Sequence, residues 1–98
     1  MIHRQPIQER NQVQVTFVLP PHHPPDPVSV VGDFNGWSPH LHPLQPDDNG
    51  MRSTSMTLAI GGRYAFRYLS GDGRWFNEGF ADAYEPNGYG AENSILYT

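Results

Sequence analysis

The chain has 98 residues with six Arg, no Lys and ten acidic side chains, for a net charge of -4. That makes one small domain, spanning residues 1–98, without the basic face that nucleic-acid phosphates require. Cysteine is absent, which excludes disulfides, thiolate metal sites and a cysteine nucleophile, and fits a reducing compartment. Ten glycines and ten prolines beside 37% apolar residues point to strands and turns around a modest core, not to helices.

Met1 to Asn11 reads as a polar lead. It lacks the apolar stretch of a signal peptide, and no run in the chain reaches bilayer length, so the expectation is a cytoplasmic protein without membrane contact. Val13, Val15, Phe17 and Leu19 then alternate with Gln12, Gln14, Thr16 and Val18, the period-two pattern of a strand with one buried face. The segment Pro20 to Pro27, PPHHPPDP, cannot be helix or central strand and predicts a stiff crossing between strands.

Val28 to Trp37, VSVVGDFNGW, is the most informative stretch. Val28, Val30 and Val31 favour extended backbone, Gly32 ends the run, and Asn35-Gly36 is a turn pair that tolerates positive φ. Trp37 follows the turn, so its ring is expected at an edge of the sheet. Leu41 to Leu44 is a candidate short edge strand or irregular segment, interrupted by Pro43, and Pro46 to Gly50, PDDNG, is a turn. Met51 to Ile60 and Arg63 to Ser70, separated by Gly61-Gly62, predict a hairpin. In its second arm Tyr64, Phe66 and Tyr68 share one face, and Arg63, Ala65, Arg67 and Leu69 the other.

Gly71-Asp72-Gly73 is a second tight turn, and Trp75 follows it much as Trp37 follows the first. Asn77 to Gly90 predicts an ordered loop over the sheet, and Ser94 to Tyr97 a closing strand. Short strands and turns of this kind make an all-β, immunoglobulin-like antiparallel β-sandwich, with a small barrel as the alternative.

Two turn-borne tryptophans suit stacking on the apolar face of a pyranose, and a chain without a charged patch suits a neutral polysaccharide. The competing reading places both indoles in the core. Glycoside hydrolysis needs a carboxyl pair, one protonated and one ionised. Asp33 and Asp72 sit at turns where carboxylates bond nearby backbone N–H groups, and Glu78, Asp82, Glu85 and Glu92 lie in polar sequence, so no catalytic dyad is expected. His22, His23, His40 and His42 lack metal-ligand spacing, and no phosphate loop or dinucleotide fingerprint occurs, so neither metal nor cofactor is expected.

Three landmarks stand in order: VGDFNGWSP from Val31 to Pro39, YAFRYLSGDGRW from Tyr64 to Trp75, and GAENSILY from Gly90 to Tyr97. With them the chain resembles carbohydrate-binding module family 48, which includes the isoamylase N-terminal early-set domains and the glycogen-binding domain of the AMP-activated kinase β subunit. The resemblance implies an early-set sandwich that binds α-1,4-glucan without chemistry of its own. It implies as contacts Trp37, Trp75, Arg67 in place of a lysine, Asn93 and Tyr89. The Ser70 to Gly73 turn is longer than in the kinase-type pattern, which predicts a displaced Trp75. The alternative is an interaction module of the same fold that has lost sugar binding and docks on a separate glucan-processing enzyme, with Phe80 to Tyr89 as its contact. The two readings differ in whether Trp37 and Trp75 are both exposed on one surface.

Overall fold

A computed structural model describes residues 1–22 and 27–98. The middle of the proline-rich crossing, including His23, therefore lies outside the described residues. Among the described residues nine strands run in chain order: β1 Ile2–Ile7, β2 Gln12–Leu19, β3 Val28–Gly32, β4 Gln45–Pro46, β5 Arg52–Ala59, β6 Arg63–Ser70, β7 Trp75–Phe76, β8 Ala83–Pro86 and β9 Glu92–Tyr97. They form two antiparallel sheets, one in the order β1-β2-β5-β4 and the other β3-β6-β9-β8, with β7 paired to β6. Packed face to face, they make an immunoglobulin-like β-sandwich.

The alternation in β2 sets the core. Val13, Val15, Phe17 and Leu19 are buried, and they meet Val28, Val30, Phe66, Tyr68 and Leu96 from the opposite sheet. Phe17 is central, with its ring centroid 5.1 Å from Phe66, 5.6 Å from Phe34 and 6.4 Å from Tyr68. Each such side chain contributes about 1.5–3 kcal/mol on burial. Tyr68 donates its hydroxyl to the Glu78 carboxylate at 2.8 Å, and burial and then that negative charge push its own ionisation far up. Tyr64, Phe66 and Tyr68 do face the core, and Arg63 and Arg67 face outward, as the alternation predicts.

Three expectations are corrected. Met1 to Asn11 is not merely a lead: Ile2–Ile7 is an edge strand, in register from Ile2 opposite Phe17 to Ile7 opposite Gln12. Its middle residues are exposed, so no apolar alternation marks it, and Pro6 is tolerated at an edge. Arg4 then ties β1 to the other sheet, through the Asp82 carboxylate and the Tyr97 carbonyl. Second, β5 and β6 are not paired as a hairpin. β5 has β2 and β4 as neighbours, whereas β6 has β3 on one side and β9 and β7 on the other. Gly61-Gly62 reverses the chain as expected, with Gly61 at φ 81°, but the reversal arches from one sheet to the other. Two-glycine punctuation specifies a turn, not the partner of the strand that leaves it. Third, Asn77 to Gly90 is not a loop throughout, because Ala83–Pro86 pairs with β9 and becomes the sheet edge.

Two other expectations hold. PDDNG closes a hairpin between β4 and β5, with Asp47 Oδ1 accepting from the backbone N–H of Asn49 and Met51. Leu41 to Leu44 touches β3 through a single bridge between Ser29 and Pro43. No helix among the described residues is long and apolar enough to cross a membrane.

Candidate functional site

The site lies on the outer face of the β3-β6-β9-β8 sheet. Register places Arg67 opposite Val31, Leu69 opposite Trp75, Ala65 opposite Ile95, and Asn93 opposite Glu85, all pointing away from the core. Val31 and Ile95 are nonetheless fully buried, so this face has its own thin apolar layer. Above it opens a cleft of about 670 Å³ whose lining includes Trp37, Trp75, Arg67, Asn93 and Tyr89. The structure therefore brings all five nominated residues together. Trp37 is 36% and Trp75 43% exposed, and neither belongs to the core cluster, so both indoles are presented on one surface. The longer Ser70 to Gly73 turn does not take Trp75 out of that cleft.

Trp37 is placed by a tightly determined turn. Gly32 lies so close to β6 that an added Cβ would meet the Ala65 carbonyl oxygen at 2.5 Å, which only glycine permits. Beyond it, Asp33–Asn35 forms one 3₁₀ turn, closed by Gly36 at φ 65°. Asn35 accepts from the Gly32 N–H at 3.0 Å and donates to the Val30 carbonyl at 3.0 Å, and its amide also meets His42 Nδ1 at 2.9 Å. Trp37 itself adopts φ 58°, a left-handed conformation that costs a bulky residue about 1–3 kcal/mol. Its N–H returns to the Gly32 carbonyl at 2.9 Å, and its indole Nε1–H donates to Asp33 Oδ1 at 2.8 Å.

Trp75 is placed by the second turn. The Gly73 N–H donates to the Ser70 carbonyl at 3.0 Å and the Ser70 N–H to the Arg74 carbonyl at 2.9 Å. Asp72 accepts from the Ser70 hydroxyl and from the Arg74 N–H, and the hydroxyl bond first of all lowers its ionisation below the ordinary carboxylate value. Phe76, the next residue, anchors the segment by stacking on Tyr68 at 5.3 Å inside the sandwich. One two-residue strand thus has one ring in the core and one in the cleft.

The polar contacts differ in how firmly they are held. Arg67 Nε donates to Asn77 Oδ1 at 3.2 Å, which ties the guanidinium to the residue that follows β7. Asn93 lies within β9, and its Oδ1 is 3.5 Å from Asn87 Nδ2, a weak bond that leaves the amide to other partners. Asn87 Oδ1 in turn accepts from the Tyr89 N–H at 2.9 Å, while the Tyr89 ring stands 91% exposed at the rim.

Asp33, Arg63, Ala65, Glu85 and Asn87 complete the lining, outside the five residues that the resemblance implies as contacts. Two of them carried a signal, because Arg63 and Ala65 alternate with Arg67 along one strand. Arg63 and Glu85 form an exposed ion pair at the cleft, and that bond raises the guanidinium still further above its ordinary value. A second depression, lined by Asn77, Tyr84, Pro86 and Glu92, meets the first at Arg67.

Among the described residues no group of three or more His, Cys, Asp or Glu is placed to hold a metal ion. Of the acids weighed for hydrolysis, Glu78 is buried, but it accepts from the Tyr68 hydroxyl and the Phe80 N–H, a structural arrangement inside the sandwich.

No protein-family model matches the chain. Over 48 residues, 48% of its length, the chain is 40% identical to 1,4-alpha-glucan branching enzyme GlgB 2 from each of two strains of Xanthomonas campestris pv. campestris. The match covers 7% of the length of these curated relatives, so the chain is similar to one small part of a much larger enzyme.

Proposed function

We propose that the chain is a non-catalytic module that binds α-1,4-linked glucan in the cleft of the β3-β6-β9-β8 sheet. The observation that carries this reading is the convergence of two partly exposed indoles with Arg67, Asn93 and Tyr89 in one cleft. Trp37 and Trp75 stack on sugar faces, removing apolar C–H surface from water, with the Trp37 ring already held by its bond to Asp33. Arg67 and Asn93 exchange hydrogen bonds with hydroxyls, the guanidinium only donating and the amide both donating and accepting. Tyr89 closes over the chain from the rim. Partial identity to a 1,4-alpha-glucan branching enzyme supports the same class of ligand. With few contacts, affinity for short oligosaccharides is weak and retention on a polymer stronger.

The test is affinity electrophoresis in amylopectin, with a β-cyclodextrin titration followed by tryptophan fluorescence. Retardation and a saturable spectral change are expected, and both are lost in Trp37→Ala and Trp75→Ala. A wild-type chain that migrates freely and shows no spectral change rejects the proposal. The interaction reading then takes its place, and Phe80, 78% exposed on the segment before β8, is the residue on which it would be tested. Reducing sugar released from glycogen by the purified chain would reject the non-catalytic assignment.

A further inference from the structure

We infer that Asp33 is a positioning residue, a two-pronged clamp that fixes the Trp37 indole relative to the backbone of β6. For its effect on binding this rests on the glucan reading above; the clamp itself rests on geometry alone. The β3 ladder ends at Gly32 opposite Phe66, and the chain then turns away, leaving the Ala65 N–H without a strand partner on that side. Asp33 Oδ2 takes the place of that missing carbonyl, accepting from Ala65 N at 2.8 Å. Its other oxygen, Oδ1, accepts from Trp37 Nε1 at 2.8 Å. One carboxylate thus links an indole at the surface to β6, which is paired on both sides.

An exposed indole otherwise rotates about its side-chain bonds and loses that freedom when a ligand docks. A charge-assisted bond to Nε1 removes the rotation beforehand, so less entropy is lost on binding. The same bond occupies the indole N–H, so a ligand meets the ring by its face and reads hydroxyl positions through Arg67 and Asn93.

The chemistry specifies aspartate. Two N–H donors converge on one short side chain, each on a different oxygen, so in this geometry both terminal atoms must be acceptors. Asparagine of nearly the same volume offers one oxygen and one NH₂. In Asp33→Asn the oxygen goes to the Ala65 N–H, since Ala65 is 6% exposed and an unmet donor there is the costlier loss. The NH₂ then faces the indole N–H, donor against donor, and the ring is released while the fold is kept.

The test uses the two indole N–H signals of the ¹⁵N-labelled chain, with the Trp37 signal identified by its loss in Trp37→Phe. In the wild type, Trp37 Nε1–H should exchange with solvent more slowly than Trp75 Nε1–H, although the two side chains are similarly exposed. Equal rates overturn the clamp, and that measurement needs no variant to fold. In Asp33→Asn the Trp37 signal should shift and exchange faster while the Trp75 signal stays in place, and β-cyclodextrin affinity should fall about tenfold with both rings present. An unchanged Trp37 signal overturns the clamp, and a released ring with unchanged affinity overturns its role in binding. A wild type with slow Trp37 exchange and no β-cyclodextrin affinity rejects the glucan reading and leaves the clamp standing.

Discussion

The two outer faces of the sandwich, built on the same core by the same alternation, carry opposite chemistry. On the β1-β2-β5-β4 sheet, Gln14 lies opposite Thr57, Thr16 opposite Ser55 and Val18 opposite Ser53, and the Thr16 and Ser55 hydroxyls bond each other at 2.8 Å. Those side chains are mostly polar and form a plain surface. The β3-β6-β9-β8 sheet instead shows Trp37, Trp75, Arg67 and Asn93 around a small floor at Ala65. Its rings are costly to expose, and one of them sits on a strained backbone. The difference teaches that the inward pattern makes the sandwich, whereas an outward face that departs from the polar rule is where a binding role is to be tested.

Removing the shared core should erase the contrast altogether. Phe17→Ala should cost about 3–5 kcal/mol, a large share of the 5–15 kcal/mol typical of a small domain, read as a collapse of the urea midpoint. Trp37→Ala and Trp75→Ala should each abolish retention on amylopectin while lowering stability by less than about 1 kcal/mol, because both rings lie outside the core. A smaller loss of affinity is expected for Arg67→Ala, and none for Thr16→Ala on the opposite face, whose stability should stay within about 1 kcal/mol of wild type. If Thr16→Ala weakened binding as much as Arg67→Ala, the two-face picture would fail.

The least effect belongs to Asp72. Its ionisation is lowered in the folded chain, so the stabilisation is present above the carboxyl's unfolded value and is lost as pH falls through the folded one. Asp72→Asn should flatten that part of an acid-unfolding curve without altering amylopectin retention near neutral pH.

Much of this was legible in the chain, because burial imposes a period. The alternation from Val13 to Leu19 and the Tyr64, Phe66, Tyr68 set specify inner faces directly, and the Asn35-Gly36 and Gly71-Asp72-Gly73 turns specify where the tryptophans emerge. The edges left no such mark. Ile2–Ile7 and Ala83–Pro86 are short edge strands, each with a single neighbouring strand and little apolar demand, so their residues are free to look like lead and loop. The partner of β5 was hidden for another reason, since pairing is decided by the whole core and not by the glycines between the strands. From its sequence neighbours Asp33 is expected to be a turn acid bonding nearby backbone. Its bond to Ala65 crosses from the end of β3 to β6, and no spacing in the sequence announces it.

The arch at Gly61-Gly62 has a consequence for how the chain reaches this state. Because neighbouring segments enter different sheets, the central ladders join remote ones, such as Gln12 with Ala59 and Val28 with Ser70. Among the described residues, neighbouring segments pair only as β1 with β2, β4 with β5, β6 with β7 and β8 with β9, which leaves the central ladders to wait for remote partners. Loop closure must come before most of the stabilising contacts, which places the domain among slow folders, in the range of about milliseconds to seconds, despite its small size.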